Sequence, residues 1–272
     1  MSETQQLPIV LCFSGLDSTG GAGIQADIEA IISMGCHPAP VITALTVQDS
    51  VRLSRYQATD STIIEQARAV LEDMPVSTIK IGMLGSIEHM ENLHSLLLDY
   101  PEIPVILDPV LRAGGGGEMM ENDGDGALCE LLLPLTNVIT PNADEARQLA
   151  PEADTLDACA QEIMDYGCET VLLTGADEAT PNVENRLYSA NRLQEVFSWQ
   201  RLPHRYHGSG CTLSACIAAL LAHGLEPFTA INEAQEYTWE SLKHGWRPGM
   251  GQHFPNRLFW AREEAENHLE PE

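Results

Sequence analysis

The chain has 272 residues, with 14 lysines and arginines against 40 aspartates and glutamates and a formal net charge of −26. That length suits one large core. The charge argues against binding to a nucleic-acid backbone or an anionic membrane, while backbone amides or a metal ion can still hold a small anion. No stretch stays apolar for the thickness of a bilayer. The opening residues Met1–Gln6 lack the basic and apolar segments of a secretion signal. Seven cysteines are scattered without a Cys-x-x-Cys pair, which fits a reducing compartment. A single domain over residues 1–262, an acidic tail over 263–272 and a cytoplasmic location are expected.

In chain order, the apolar run Leu7–Phe13 predicts a buried strand. It leads into Ser14-Gly-Leu-Asp-Ser-Thr-Gly-Gly-Ala-Gly23 and then a helix face marked by Ile24, Ile28, Ile31 and Ile32. Strand, glycine loop and helix together open an α/β unit. The glycine spacing fits a dinucleotide fingerprint only loosely, and close approach of backbone to a small ligand explains it better. Asp27 falls one helical turn beyond Gly23, facing the same pocket or serving only as a solvated or capping residue. A second strand runs to Gln48, with Pro38 and Pro40 limiting its start, and Val51–Asp60 makes an excursion of one or two strands. A helix over Ile63–Met74 precedes the strand-to-loop transition Thr78–Ser86, and another helix reaches Leu98. Met83, between two glycines, fills core space or walls a flat ring.

Val105-Ile-Leu-Asp108 is the clearest strand with a carboxylate at its exit, where open parallel sheets collect ligands. Arg112 follows beside the glycines at 114–117, an ordinary surface arginine or a phosphate contact. A helix through Leu133 leads to Asn137–Ala146, a second strand exit in which Asn142 and Glu145 suit a helix cap or Mg²⁺. Ala158–Tyr166 reads as a helix and Thr170–Leu173 as a strand turning at Thr174 and Gly175. Asp177–Asn185 reads as an exposed connection, and Arg186–Arg205 as a strand pair near the edge. His207-Gly-Ser-Gly-Cys-Thr212 is a glycine turn feeding an apolar helix that Gly224 terminates. The amides at the start of that helix suit an anion and would favour a Cys211 thiolate. The same pattern also fits a plain turn before a core helix. Phe228–His244 is a packed helix, after which Gly245, Gly249 and Gly251 break the order.

Strands and helices alternate, so the fold class is α/β, with one mostly parallel sheet covered on both faces. The histidines show no metal-hydrolase spacing. Gly208-Ser209-Gly210 is not a nucleophile elbow, and there is no Walker A motif. Glycine loops with acidic residues at strand exits suit phosphates around Mg²⁺. A phosphotransferase, another small-molecule enzyme and a noncatalytic sensor all remain open on these residues alone.

Six separated segments taken together carry a resemblance: Ser14–Asp27, Val41–Gln48, Lys80-Ile-Gly-Met-Leu84, Leu107-Asp-Pro-Val110, Ile139–Ala146 and His207–Ala215. Over about residues 7–260 the chain resembles the bacterial hydroxymethylpyrimidine/phosphomethylpyrimidine kinase family of thiamine biosynthesis, within the ribokinase-like superfamily. The resemblance implies a ribokinase-like three-layer sandwich and a homodimer. It implies ATP- and Mg²⁺-dependent phosphorylation of 4-amino-5-hydroxymethyl-2-methylpyrimidine, then of its monophosphate. It places Gly15, Asp27, Gln48 and Met83 at the pyrimidine, Cys211 at the substrate hydroxyl, and Gly208, Ser209 and Gly210 at the transferred phosphoryl group. Asp108 and Glu145 would support the metal, with Arg112, Asn142, Thr174 and Gly175 near the nucleotide. Gly114 and Thr174 stand where the family usually carries lysines, and Arg112 is the expected compensation. A pyridoxal or pyridoxine kinase and a noncatalytic aminopyrimidine-binding regulator are the alternatives.

Overall fold

The computed structural model describes residues 7–111 and 124–261. The elements are β1 (Ile9–Leu16), α1 (Gly23–Ser33), β2 (His37–Gln48), β3 (Leu53–Ala58), α2 (Thr62–Asp73), β4 (Val76–Ile81), α3 (Ile87–Asp99), β5 (Val105–Leu107), α4 (Gly124–Leu131), β6 (Val138–Ile139), α5 (Ala143–Leu149), α6 (Leu156–Asp165), β7 (Thr170–Leu173), β8 (Asn182–Ser189), β9 (Arg192–Gln200), α7 (Ser209–Ala222) and α8 (Pro227–Lys243). The strands form one sheet in the order β3-β2-β1-β4-β5-β6-β7-β8-β9. The pairs from β2 through β7 are parallel. The pairings of β3 with β2, β8 with β7 and β9 with β8 are antiparallel and lie at the two edges. This is the three-layer α/β sandwich expected from the sequence.

Side chains alternate across the central strands, as the two-residue period of a strand requires. Leu11 and Phe13 of β1 and Ile79 and Ile81 of β4 enter a core closed by α2, α3, α4, α5 and α6. Val10 and Cys12 of β1 and Ile106 of β5 enter a second core closed by α1, α7 and α8. Helix α7 is buried continuously from Thr212 to Leu220, so its small side chains let it lie close to the sheet. It ends in a Schellman motif. Gly224 adopts φ +83°, its N–H donates to Leu221 O at 2.8 Å, and Leu225 N–H donates to Leu220 O at 3.3 Å.

Three sequence expectations change. Pro38 and Pro40 lie inside β2 rather than limiting its start. His37 N–H donates to Pro8 O at 2.8 Å, so the alternate nitrogens at 38 and 40 face an edge that β3 does not reach, since β3 pairs only with Ala44–Gln48. The expected connection Asp177–Asn185 already contains the start of β8, which pairs from Asn182 with Gln200. Its polar, half-exposed side chains gave no alternation to detect. The strand pair therefore spans 182–200 and turns at Ala190 and Asn191, whose φ values of 50° and 55° suit a tight hairpin. Finally, α4 stops at Leu131, and a short 3₁₀ turn over Leu133–Leu135, containing Pro134, completes the segment.

Candidate active site

The parallel strands deliver their C-terminal ends to one edge of the sheet, where a cleft of about 980 Å³ opens. Gly15, Gln48, Met83, Asp108, Asn142, Glu145, Thr174, Gly208, Ser209, Gly210 and Cys211 all line it. Tertiary folding therefore brings together most of the residues singled out in the sequence. Arg112 and the glycines at 114–117 fall outside the described residues.

Beneath the cleft lies a buried ionic floor. Lys80, on β4, is fully buried. Its Nζ is 2.9 Å from Asp27 Oδ1, 3.2 Å from Ser14 Oγ and 4.0 Å from Asp108 Oδ2. Ser14 also donates a short hydrogen bond to Asp27 Oδ2. Gly82 leaves room for this group, because a Cβ there would come within 2.7 Å of both Lys80 Nζ and Ser14 Oγ. Burial alone would push the Lys80 ammonium down; Asp27, then Cys211 and Asp108, raise it instead, so it stays charged. Asp27 is wholly buried and does not line the cleft. The direct contact with a ligand ring expected of it gives way to an ion pair under the floor.

One end of the cleft is built by α7. Gly208, its N-cap, adopts φ +81°, and a Cβ there would meet Gly21 O at 2.0 Å. Only glycine fits that conformation and that approach. The first helix-internal bond runs from Thr212 N to Gly208 O at 3.0 Å, so the amides of Ser209, Gly210 and Cys211 precede the helical ladder and are left to the cleft. Arg257, almost fully buried, locks this junction by donating to Gly21 O at 2.5 Å and Thr212 Oγ1 at 2.8 Å. His207 Nε2 meets Asp17 Oδ2 at 2.8 Å. Burial would raise the Asp17 carboxyl, but hydrogen bonds from His207 and Thr19 hold it down at about 2.

Cys211 sits where these parts converge. Its thiol lies within electrostatic reach of Asp108 and Lys80, with the Gly23 amide close by. The thiolate expected at a helix start is not favoured. Burial, Asp108 and Asp27 push the Cys211 thiol up to about 12, against the pull of Lys80. Two carboxylates and lost solvation outweigh the partial charge of a helix end.

On the β1–β2 side, Met83 packs with Ala44, and Leu53, Tyr56 and Val110 lie against that pair. Gly15 clears the space in front of it, since a Cβ there would press Met83 Sδ at 3.0 Å. Thr43 Oγ1 donates to Met83 O, fixing this wall. Gln48 lines the same cleft, and a thioether wall together with an amide has the chemistry to suit a flat, polar-edged ring.

On the β6–β7 side, Asn142 and Glu145 form a capping box, with Asn142 N–H donating to Glu145 Oε2 at 2.9 Å and Glu145 N–H to Asn142 Oδ1 at 2.9 Å. Burial and then Asp108 push the Glu145 carboxyl up to about 8. Gly175 does not line the cleft. It is glycine because a Cβ would meet Glu184 O at 2.1 Å, and its amide is bound by Asn185 Oδ1 at 3.0 Å. The nucleotide contact expected of Gly175 is thus replaced by packing against β8. Among the described residues no three His, Cys, Asp or Glu side chains form a protein-only metal cage. Asp108 and Glu145, two carboxyl groups lining the cleft near the start of α7, are oxygen donors of the kind that suits a hard divalent cation.

Sequence reasoning passed over Lys80, Asp17, His207 and Arg257 as functional residues. Lys80 did leave a signal, because a lysine between Ile79 and Ile81 in an apolar strand requires a buried partner. Arg257 left none, since its partners lie more than forty residues away.

A family model described as phosphomethylpyrimidine kinase matches residues 17–256. A hydroxymethylpyrimidine/phosphomethylpyrimidine kinase of Synechococcus elongatus is 35% identical over 253 residues, covering 90% of this chain and 95% of that protein. Its counterpart in Haemophilus influenzae is 33% identical over 272 residues, covering 96% and 100% respectively. Among solved structures, an ADP complex of Bacillus subtilis pyridoxal kinase gives a TM-score of 0.86 at 29% identity, covering 94% of this chain and 99% of that one. Phosphomethylpyrimidine kinase from Clostridium difficile gives 0.75 at 30% identity, covering 86% and 99%. The chain belongs to the phosphomethylpyrimidine kinase family and is a kinase.

Proposed function

We propose that this kinase transfers the γ-phosphoryl group of ATP to the hydroxymethyl group of 4-amino-5-hydroxymethyl-2-methylpyrimidine, and then phosphorylates the monophosphate to the diphosphate, in thiamine biosynthesis. The observation that carries this reading is a juxtaposition. The first turn of α7 lies in one cleft with the Gln48–Met83 ring slot on one side and the Asp108–Glu145 pair on the other.

Gln48 offers both a donor and an acceptor to an aminopyrimidine edge, and Met83 packs beside the ring. The substrate hydroxyl then faces Cys211 and the amides of Ser209 and Gly210. Those amides supply fixed donors for the charge that develops on the transferring phosphoryl group. Lys80, held beneath by Asp27, keeps one positive charge under a site otherwise rich in carboxylates. A neutral Cys211 thiol orients the hydroxyl rather than removing its proton. A loose phosphoryl-transfer transition state asks little of a base, so alignment carries the step. Asp108 and Glu145 would hold Mg²⁺, which would supply positive charge to neutralise the nucleotide phosphates. Asn142 and Thr174 border the nucleotide, and Arg112 stays assigned to the phosphates.

A second reading, a vitamin B6-type kinase, is favoured by the likeness to pyridoxal kinase structures. Incubation with Mg²⁺, ATP and, separately, the pyrimidine alcohol, its monophosphate or pyridoxal, with products identified by mass, tests both. Phosphorylated pyridoxal alone would replace the pyrimidine reading, and ligand binding without any product would favour a regulator.

A homodimer and a cytoplasmic location belong to the same reading. Exposed Leu45, Val47 and Val51 near the β2–β3 edge support the dimer, and light scattering tests it. Seven free thiols support a reducing compartment. Among the described residues no helix is long and apolar enough to cross a membrane.

A further inference from the structure

The cleft is poor in available positive charge. Asp17, Asp108, Asp144, Glu145, Asp177 and Glu178 all line it, in a chain that carries only 14 lysines and arginines. Among the described residues, the basic side chains that also line it are Arg201, His204, Arg205 and His207. Three of these are already committed. His207 is bound to Asp17 at 2.8 Å. His204 is stacked on His253 with ring centroids 3.8 Å apart. Arg201 spends all three nitrogens on the turn after β7, reaching Ala176 O at 2.7 Å, Thr180 O at 2.9 Å and Glu178 O at 2.7 Å.

Arg205 differs. Its main chain is anchored: His253 N–H donates to Arg205 O at 2.9 Å, and His207 N–H donates to His253 O at 2.9 Å. Its side chain is exposed and makes no hydrogen bond or ion pair with any described residue. It lies three residues before Gly208, the cap of the α7 anion site. Its charge also acts on Asp177, beside the turn that follows β7. An arginine on a fixed backbone, placed between a helix N-terminus and a strand exit, is arranged to take phosphate oxygens with its two-pronged guanidinium.

We infer that Arg205 is a phosphate-binding cation of this cleft, gripping phosphate between the first turn of α7 and the turn after β7. The inference rests on the kinase reading above and adds to it the residue that offsets the surrounding carboxylates. The phosphate comes either from the polyphosphate of ATP or from the monophosphate substrate of the second step, and separate measurements tell them apart.

The test compares the full chain with Arg205→Ala and Arg205→Lys. Calorimetry with Mg²⁺ and ATP, without acceptor, gives nucleotide affinity. Steady-state kinetics give KM and kcat for ATP and for the pyrimidine monophosphate, and thermal melts establish that the variants fold. Arg205→Ala is expected to weaken ATP about tenfold, to raise the KM for ATP more than it lowers kcat, and to be partly rescued by Arg205→Lys. A rise confined to the KM for the monophosphate assigns the grip to the substrate phosphate and sustains the inference. Unchanged ATP affinity together with unchanged KM values in a folded Arg205→Ala protein overturns it. Should the parent phosphorylate no pyrimidine, the substrate reading fails on its own, and the ATP calorimetry still decides the role of Arg205.

Discussion

Lys80 Nζ stands 2.9 Å from Asp27 Oδ1, and neither side chain has any solvent exposure. The pair joins the C-terminal end of β4 to the first turns of α1, with Asp108 at its edge. Removing one partner leaves a charge in the interior with nothing to balance it, which typically costs about 3–5 kcal/mol. Lys80→Met is expected to lose about that much unfolding free energy in urea, and Asp27→Asn somewhat less. In Lys80→Met/Asp27→Leu the loss should be smaller than the sum of the single losses. Strictly additive losses would show that the pair does not act as a unit.

Cys211 is expected to react slowly with iodoacetamide at neutral pH. Its thiol is pushed up to about 12 by burial, Asp108 and Asp27, and the thiolate is the nucleophile. The alkylation rate of folded protein should climb about tenfold per pH unit, with no plateau below pH 9. Because the other six cysteines are buried, mass mapping of the modified peptide isolates this site. Rapid labelling at pH 7.5 would restore a thiolate mechanism. In the same vein, Cys211→Ser should keep activity within about tenfold of the parent, since a hydroxyl can replace a neutral thiol as an orienting group.

Glu145 makes ligand-free stability depend on pH. Its folded value of about 8 lies above the ordinary 4.5, through burial first and Asp108 next. Between those values the folded state holds a proton that the unfolded chain has released. The stabilisation is therefore fully present below about pH 4.5 and is lost as pH rises through about 8, with a limiting slope of about 1.4 kcal/mol per pH unit for one proton. Glu145→Gln, which keeps an oxygen for the Asn142 amide, should flatten that segment of the curve. An unchanged slope in urea melts between pH 5 and pH 8 would refute the assignment.

Gly208→Ala is expected to damage both folding and turnover. The φ of +81° alone costs a non-glycine residue about 1–2 kcal/mol, and the new Cβ would lie 2.0 Å from Gly21 O. Relief requires separating the α1 and α7 starts, which displaces the amides of Ser209 and Gly210. A lower Tm with a larger fall in kcat than in ATP affinity is the expected pattern. Parent-like kinetics would show that this junction does not align the site.

Legibility varied with the kind of signal. The runs Ile9–Phe13, Ile79–Ile81 and Val105–Leu107 announced buried strands because both faces of a central parallel strand are apolar. The hairpin start at Asn182 stayed hidden because Asn182, Val183 and Glu184 are exposed or half-buried, and burial in β8 begins only at Asn185. Asp108, Asn142 and Glu145 were found because strand exits are exposed to ligand in any open α/β sheet. Asp27 lies beneath the cleft lining, and Gly175 packs against β8 behind its turn. Spacing along a helix or loop gives direction around a local axis, but not what stands beyond it.

Local pattern therefore determined the alternation of strands and helices, the glycine turns, the glycine-led start of α7 and the family. Tertiary structure alone decided which charges are neighbours. It decided that Lys80 lies under the cleft with Asp27, that Cys211 stays a thiol and that Arg205 lines the cleft with its guanidinium bound by none of the described residues. The physical reason is range. Backbone conformation is set by residues a few positions apart, whereas desolvation and Coulomb interaction depend on distances through space between elements the chain brings together only when it folds.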